Sequence, residues 1–402
     1  MTAALSGSGL GLAGSGLGLA GNGLRIVGAT VTPIAVADPP LLTALGVHQP
    51  YALRSIVQVH TDAGITGISE AYGDDPTLDR LLLAIPAIVG LDAFDTNGLV
   101  RRVNAALAGV EADTPTELIG VASVDKAVAA TVAAFEVALF DIQGKATGRR
   151  VCDLLGGAVR DAVPFSAYLF YKRAGHPGAE PDRFGAALDV DGIVAQARSM
   201  VGTYGFGSLK LKGGVFPVDE EIAAIEALSD EFPDHPLRLD PNANWSVATS
   251  LRVAHRLAGV LEYLEDPTDG IHGMARVAAR TSIPLATNMC VTTFADVPAA
   301  VAARAVRIVL SDHHFWGGFR ASLDLAAVCT TFGLGLSMHS NTHLGVSLAA
   351  MTHLAAAIPS LEYACDTHSP WQIENVIEPG AIAIRDGCVA VPSGPGLGVT
   401  LD

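Results

Sequence analysis

Cysteine is scarce in this chain of 402 residues. The five present (Cys152, Cys290, Cys329, Cys365 and Cys388) are scattered, with no C-x-x-C pair. An odd, unspaced set excludes a disulfide framework and a thiolate metal knuckle, and fits a reduced, cytoplasmic protein. Charge is also sparse, at 16% of residues, and tilts to acid with a net −16. That balance argues against nucleic acid or an anionic membrane as a partner. No uninterrupted apolar run is long enough to cross a bilayer. Basic residues are absent before Arg25, so the opening stretch lacks the charged start of a secretory signal. Residues 1–24, with their near-duplicate G-S-G-L-G-L-A, read as a Gly-rich flexible tail outside the fold.

What the chain has in quantity is apolar residues, half of the total. Much hydrophobicity with little charge suits a parallel sheet buried on both faces, and the length allows two domains. Residues 25–37 and 53–72 read as strands, the second folding back as a hairpin at Thr61-Asp62-Ala63-Gly64. Between them lies a loop, 38–52, and after them come helical stretches near 76–91, 95–109 and 124–147. The first region, 25–155, is therefore α+β.

From 156 the pattern changes to a repeat. F-S-A-Y-L-F-Y (165–171) reads as a first strand. Six short apolar runs then end in Lys212, Asp240, Glu265, Asn288, Asp312 and His339, at intervals of 23 to 28 residues. L-E-Y-A-C (361–365) makes an eighth strand. Each interval accommodates a strand and a helix, for example 219–230, 247–259 and 319–332. The fold class is α/β, a modified TIM barrel (β/α)7β over 156–378, and residues 379–402 are expected to return to the first domain. The C-terminal ends of parallel barrel strands open on one face, so the six terminal residues would converge on one pocket.

The chemistry of those residues is specific. Asp240, Glu265 and Asn288 on three neighbouring strands are hard oxygen donors suited to Mg²⁺. Lys210 and Lys212, one residue apart, point the same way, and each ammonium would depress the pKa of the other. Asp312 on the strand before His339 would orient its imidazole, and Asn341 could hydrogen bond a substrate. Opposed bases around a divalent cation suit removal of a proton next to a carboxylate, where the enediolate needs two negative oxygens stabilised. A Schiff-base aldolase using a barrel lysine and a non-catalytic metal-binding protein are the alternatives from other classes.

The segments K-L-K-G-G-V, L-D-P-N-A-N-W, E-Y-L-E-D-P, A-T-N-M, S-D-H-H-F-W, S-M-H-S-N-T-H-L-G-V-S and A-C-D-T-H-S-P-W-Q occur in that order. Together they resemble the enolase superfamily, and within it the glucarate dehydratases. The resemblance runs from about residue 25 to the end and implies a capping domain before the barrel. It implies Mg²⁺ held by Asp240, Glu265 and Asn288. It makes Lys212 one base and His339, paired with Asp312, the base or acid on the other face, with Lys210, Asn242 and Asn341 steadying the enediolate or the substrate carboxylate. His48, Thr43, Tyr168, Phe170 and His368 match substrate contacts. Thr43 stands where well-known members carry asparagine, and those members continue past the equivalent of Asp402 into a tail with a substrate-binding arginine. The implied reaction converts an acid sugar, D-glucarate first, to 5-keto-4-deoxy-glucarate, with another acid-sugar dehydratase or an epimerase as alternatives. A homo-oligomer is expected.

Overall fold

A computed structural model describes residues 24–111 and 123–402. The Gly-rich tail lies outside the described residues.

Strands β1 (Ile26–Ala37), β4 (Tyr51–Thr61) and β5 (Thr66–Tyr72) form an antiparallel sheet in the order β1-β4-β5. The loop between β1 and β4 carries a small hairpin of its own, β2 (Leu42–Thr43) and β3 (Gly46–Val47). Its base is pinned to the barrel, since the Leu42 N–H donates to the Tyr171 carbonyl at 2.8 Å. Helices α1 (Asp75–Ile88), α2 (Thr96–Ala106) and α3 (Val124–Thr147) follow, then the short α4 (Val151–Leu154). Asp74, Asp95 and Ser123 cap the first three by accepting a first-turn N–H.

α3 joins two cores. Val132, Phe135, Leu139 and Ile142 pack with the sheet, whereas Val137 and Phe140 belong to the barrel cluster. By length and average composition α3 alone among the described helices is long and apolar enough to span a bilayer, but charged residues interrupt it and 83% of its most apolar stretch is buried inside the protein. It is a core helix. β5 approaches it so closely that a Cβ on Gly67 would run into the Ala138 carbonyl, which is why glycine stands there.

The barrel strands are β6 (Ala162–Phe170), β7 (Leu209–Lys212), β8 (Leu237–Asp240), β9 (Leu261–Glu265), β10 (Leu285–Thr287), β11 (Ile308–Ser311), β12 (Gly335–Met338) and β13 (Cys365–Thr367). Helices α5 (Val190–Tyr204), α6 (Val218–Glu231), α7 (Val247–Arg256), α8 (Gly270–Ala278), α9 (Val297–Ala303), α10 (Phe319–Phe332) and α11 (Gly345–Ala357) alternate with them. Neighbouring strands pair in parallel from β6 to β12, and β13 returns to β6. The eighth strand lies later than the sequence suggested. Leu361 makes only an isolated bridge to Leu336, and the ladder begins at Cys365. The intervening Ala364 carbonyl accepts instead from Arg238 and from the Ser337 hydroxyl.

The C-terminal segment adds β14 (Ile384–Arg385) and β15 (Cys388–Ala390), the latter antiparallel to the start of β6. Beyond it, the Val151 N–H donates to the Gly396 carbonyl and the Leu397 N–H to Asp141 on α3.

One buried ion pair locks the sheet onto the barrel. Arg54 on β4 and Glu70 on β5 are fully buried, 2.8 Å apart, and the guanidinium lies over the Tyr72 ring. Glu70 also accepts the N–H groups of Leu344 and Ser347 at the start of α11, at 2.9 and 3.0 Å. It thus holds the loop that runs from His339 to α11. Glu70→Gln leaves the Arg54 charge buried without its counter-ion and is expected to cost about 3–5 kcal/mol, read as a lower urea midpoint; an unchanged midpoint would show that the pair contributes no net stability.

Candidate active site

The residues singled out at the strand ends fall into two layers. A cleft of about 690 Å³, counting its open mouth, is lined by Lys212, Asn242, Asn288, Asp312, His339 and Asn341 from the barrel. Tyr168, Phe170 and His368 line it too, and Thr43 and His48 reach it from the hairpin region before β4. Lys210, Asp240 and Glu265 do not line the cleft and form a buried layer with Asp366.

Lys210 is the hub of that layer. Its Nζ lies 2.6 Å from Glu265 Oε2, 2.7 Å from Asp366 Oδ2 and 3.5 Å from Asp240 Oδ2, under the face of Tyr168. Burial pushes its pKa down, but Asp366 and Glu265 outweigh burial and hold it well above the ordinary lysine value. The sequence argument that two neighbouring lysines depress each other therefore fails for Lys210. The carboxylates are nearer than the sequence alone could reveal, and Asp366 was not foreseen.

Lys212 reaches Asp240 Oδ2 at 2.7 Å and Asn242 Oδ1 at 3.0 Å. The Tyr168 hydroxyl donates to the same Asp240 oxygen at 3.1 Å. Burial pushes the Asp240 carboxyl up, yet Lys212 and Lys210 together hold it well below the usual carboxylate range. Glu265 is driven far upward by burial, only partly offset by Lys210.

These donors fit a divalent cation. Both Glu265 carboxylate oxygens are buried and receive no aligned hydrogen bond, despite the ion-pair distance to Lys210. Among the described residues the buried Asp240, Glu265 and Asp366 are set against Lys210, Lys212 and Arg238. Buried carboxylate oxygens without an aligned partner are costly, and a hard dication among oxygen donors would engage those of Glu265.

Backbone strain is concentrated at the same strand ends. Asn242 and Ala243 after β8, Asp266 after β9 and Thr342 after β12 all have positive φ, between 33° and 59°. Non-glycine residues in this region need compensation from their surroundings. At Asn242 it comes from its N–H bond to Asp240 Oδ1, at 2.9 Å. At Asp266 the carboxylate accepts the Thr287 hydroxyl at 2.6 Å and the Asn288 N–H at 2.8 Å. Asp266 therefore sets where Asn288 stands. The sequence reading passed over it as the residue after Glu265.

On the far side, the His339 Nδ1 lies 3.4 Å from Asp312 Oδ2, and His343 Nε2 lies 3.8 Å from the same oxygen. Asp312 Oδ1 accepts the His314 N–H at 2.7 Å. Burial raises the Asp312 carboxyl to about 7. His339 is held neutral by burial and then by Lys210 and Lys212. His313, His314 and His343 behind it are likewise kept neutral by burial.

The remaining cleft residues are held by packing. The His48 Nδ1 donates to Asp38 Oδ2 at 2.8 Å, and the ring meets that of Phe170 edge-on. Tyr168, Phe170 and His368 form an aromatic cluster with ring centroids 4.5 to 5.3 Å apart. The Thr43 hydroxyl is engaged within its own turn, donating to Gly46 and accepting from Leu45. Lys126, Met289, Thr292, Phe315 and Trp316 also line the cleft and were not anticipated.

Two family models match this architecture, the mandelate racemase / muconate lactonizing enzyme N-terminal domain over residues 26–156 and the enolase C-terminal domain-like family over 192–402. The chain belongs to the enolase superfamily. It is 55% identical over 380 residues to a protein of Streptomyces coelicolor named "Probable glucarate dehydratase", covering 92% of this chain and 88% of that one; this places it in the glucarate dehydratase family. An enolase from Thermobispora bispora, complexed with magnesium and formate, superposes with a TM-score of 0.92 at 60% identity, covering 94% and 90% of the two chains. Another from Pseudomonas fluorescens, with bound magnesium, potassium and tartrate, gives 0.91 at 51% identity and the same coverages.

Asp266→Ala strands the Thr287 hydroxyl and the Asn288 N–H. It is expected to cost about 1–3 kcal/mol for each stranded donor, measured by urea denaturation. Stability equal to the parent would mean that both donors find other acceptors.

Proposed function

We propose that this enzyme is a Mg²⁺-dependent hydro-lyase that dehydrates an acid sugar, with D-glucarate as substrate. The observation that carries the reading is the placement of Lys212 and His339 on one cleft. Lys212 ends the second barrel strand and His339 follows the seventh, and Asp240, Glu265 and Asn288 occupy the third, fourth and fifth between them. The name of the Streptomyces coelicolor relative, and the magnesium with small carboxylates in the solved relatives, support the same substrate class.

In this reading Asp240, Glu265 and Asn288 hold Mg²⁺, which when bound supplies positive charge against the substrate's reacting carboxylate. Lys212 takes the proton next to that carboxylate. Lys210 stays protonated beneath, so its charge is in place before the enediolate forms and needs no rearrangement. Lys212 acts as the neutral amine, becoming the ammonium as it takes that proton, with Asn242 accepting a hydrogen bond from its Nζ, and Asn341 faces the substrate from the opposite wall. For the elimination His339 must first take up a proton as the substrate fills the cleft; as imidazolium, its ring steered by Asp312, it delivers that proton to the β-hydroxyl, which departs as water, and the resulting enol becomes the keto product. The hairpin carrying Thr43, together with His48, covers the cleft from the first region of the chain.

Chelation by EDTA should abolish turnover of D-glucarate and added Mg²⁺ should restore it. Activity that survives chelation and is trapped by borohydride would favour a Schiff-base lysine instead. Asn288→Leu is expected to weaken Mg²⁺ binding at least about 10-fold, equivalent to ~1.4 kcal/mol, and titration calorimetry giving the parent affinity would remove it from the ligand set. His339→Asn should stop dehydration while Lys212 still exchanges the substrate α-proton with solvent deuterium. Dehydration persisting in that variant would place the acid elsewhere.

A further inference from the structure

The buried histidines behind His339 have no part in the chemistry assigned so far. Asp312, His313 and His314 follow β11 in a tight turn. The Trp316 N–H closes it on the Asp312 carbonyl at 3.0 Å, and the Gly318 N–H on that of His313 at 2.8 Å. His343 arrives from the loop after β12, where Gln372 donates to its carbonyl at 2.8 Å and Glu70 accepts the N–H of Leu344. The His343 ring centroid lies 4.7 Å from that of His314 and 5.6 Å from that of His313, and its Nε2 is 3.8 Å from Asp312 Oδ2. Asp312, His313 and His314 each offer a ligand atom, all within 4.8 Å of one another.

Three ring nitrogens of this cluster, both of His343 and Nδ1 of His313, are buried and have no hydrogen-bond partner among the described residues. Buried polar atoms are nearly always paired, so three orphans in one place call for an explanation. Burial keeps the three rings neutral, and each neutral imidazole has one nitrogen with a free lone pair. Several imidazoles with one carboxylate are a donor set for tetrahedral Zn²⁺, with bonds of about 2.0–2.2 Å. The four side chains would draw in by about 1 Å to reach those lengths. Arg54, the fixed cation felt by all three rings, is already balanced by Glu70 at 2.8 Å. Asp312 and His339 line the cleft, which gives an ion its way in.

We propose that His313, His314 and His343, with Asp312, form a second metal site that takes Zn²⁺ or a like transition dication and thereby switches off the acid side of the cleft. Imidazole favours such ions over Mg²⁺, which prefers oxygen donors. Occupation engages the Asp312 carboxylate that otherwise steers His339, and sets a dication beside the ring that must become cationic. Elimination stops, while proton removal by Lys212 on the other wall continues. That consequence rests on the dehydratase reading above; the site itself does not.

Co²⁺ reads the two sites apart, since it absorbs strongly in the visible when four-coordinate with imidazole and faintly among six oxygens. The full chain, saturated with Mg²⁺ and titrated with Co²⁺, should develop the strong band, and Zn²⁺ should bleach it by displacement. His343→Leu should weaken Co²⁺ binding at least about 10-fold, equivalent to ~1.4 kcal/mol; His313→Leu repeats the measurement if that variant does not fold. Asn288→Leu should leave the band in place. A faint band alone, or a strong one undiminished by loss of either histidine, would overturn the site. With D-glucarate and excess Mg²⁺, Zn²⁺ should stop dehydration while the substrate α-proton still exchanges with solvent deuterium. Undiminished dehydration, or loss of both reactions together, would overturn the inhibitory role. A strong band in a chain that dehydrates no acid sugar would sink the dehydratase reading and leave the metal site standing.

Discussion

Lys210 is the residue around which the site is assembled. Its ammonium, fully buried, draws in Glu265, Asp366 and Asp240 and lies under Tyr168, so that side chains from five of the eight barrel strands meet at one point. Taking an ammonium and three carboxylates out of water is expensive, and only mutual attraction at short range compensates. The geometry is consequently stiff. A carboxylate drawn to Lys210 cannot drift, and Asp240 in turn fixes Lys212 and Asn242 at the floor of the cleft. The two Glu265 oxygens that receive no aligned hydrogen bond are what make the layer receptive to a cation.

A second buried pair performs the same service on the other wall. Arg54 and Glu70 belong to the antiparallel sheet, yet Glu70 holds the first turn of α11 and thereby the loop carrying His339, Asn341 and His343. The two halves of the proposed chemistry thus rest on different supports. Lys212 is positioned within the barrel, while the His339 side is tied to the first region of the chain. α3 strengthens that tie, since Glu136 accepts the N–H groups of Phe319 and Arg320 at the start of α10.

Strained backbone fits into this picture as a consequence of crowding. Asn242, Ala243, Asp266 and Thr342 turn the chain sharply just past strands whose last side chains must all point into one small volume. At Asn242, Ala243 and Asp266 the turn is accompanied by a hydrogen bond to or from a neighbouring strand end. Asp266 is the clearest case, because its carboxylate is spent wholly on Thr287 and Asn288 of the next strand.

The amino-acid sequence by itself determined the barrel and the identity of its strand-end residues. Strand and helix alternate with a regular period, and a residue at the C-terminal end of a parallel strand has only one face to open on. The short contacts escaped it because they join elements with no periodic relation. Lys126 lies on a helix outside the barrel, Glu70 bonds to backbone 274 residues away, and Asp366 meets Lys210 across 156 residues. The protonation of Lys210 shows the same limit. Two lysines side by side in sequence suggest mutual repulsion, but only the folded chain decides which carboxylates stand closer. Even the eighth strand shifted, since Arg238 and Ser337 take the Ala364 carbonyl from the ladder. Local pattern sets which side chains face inward; the distances between charges, and hence the chemistry, are set by packing.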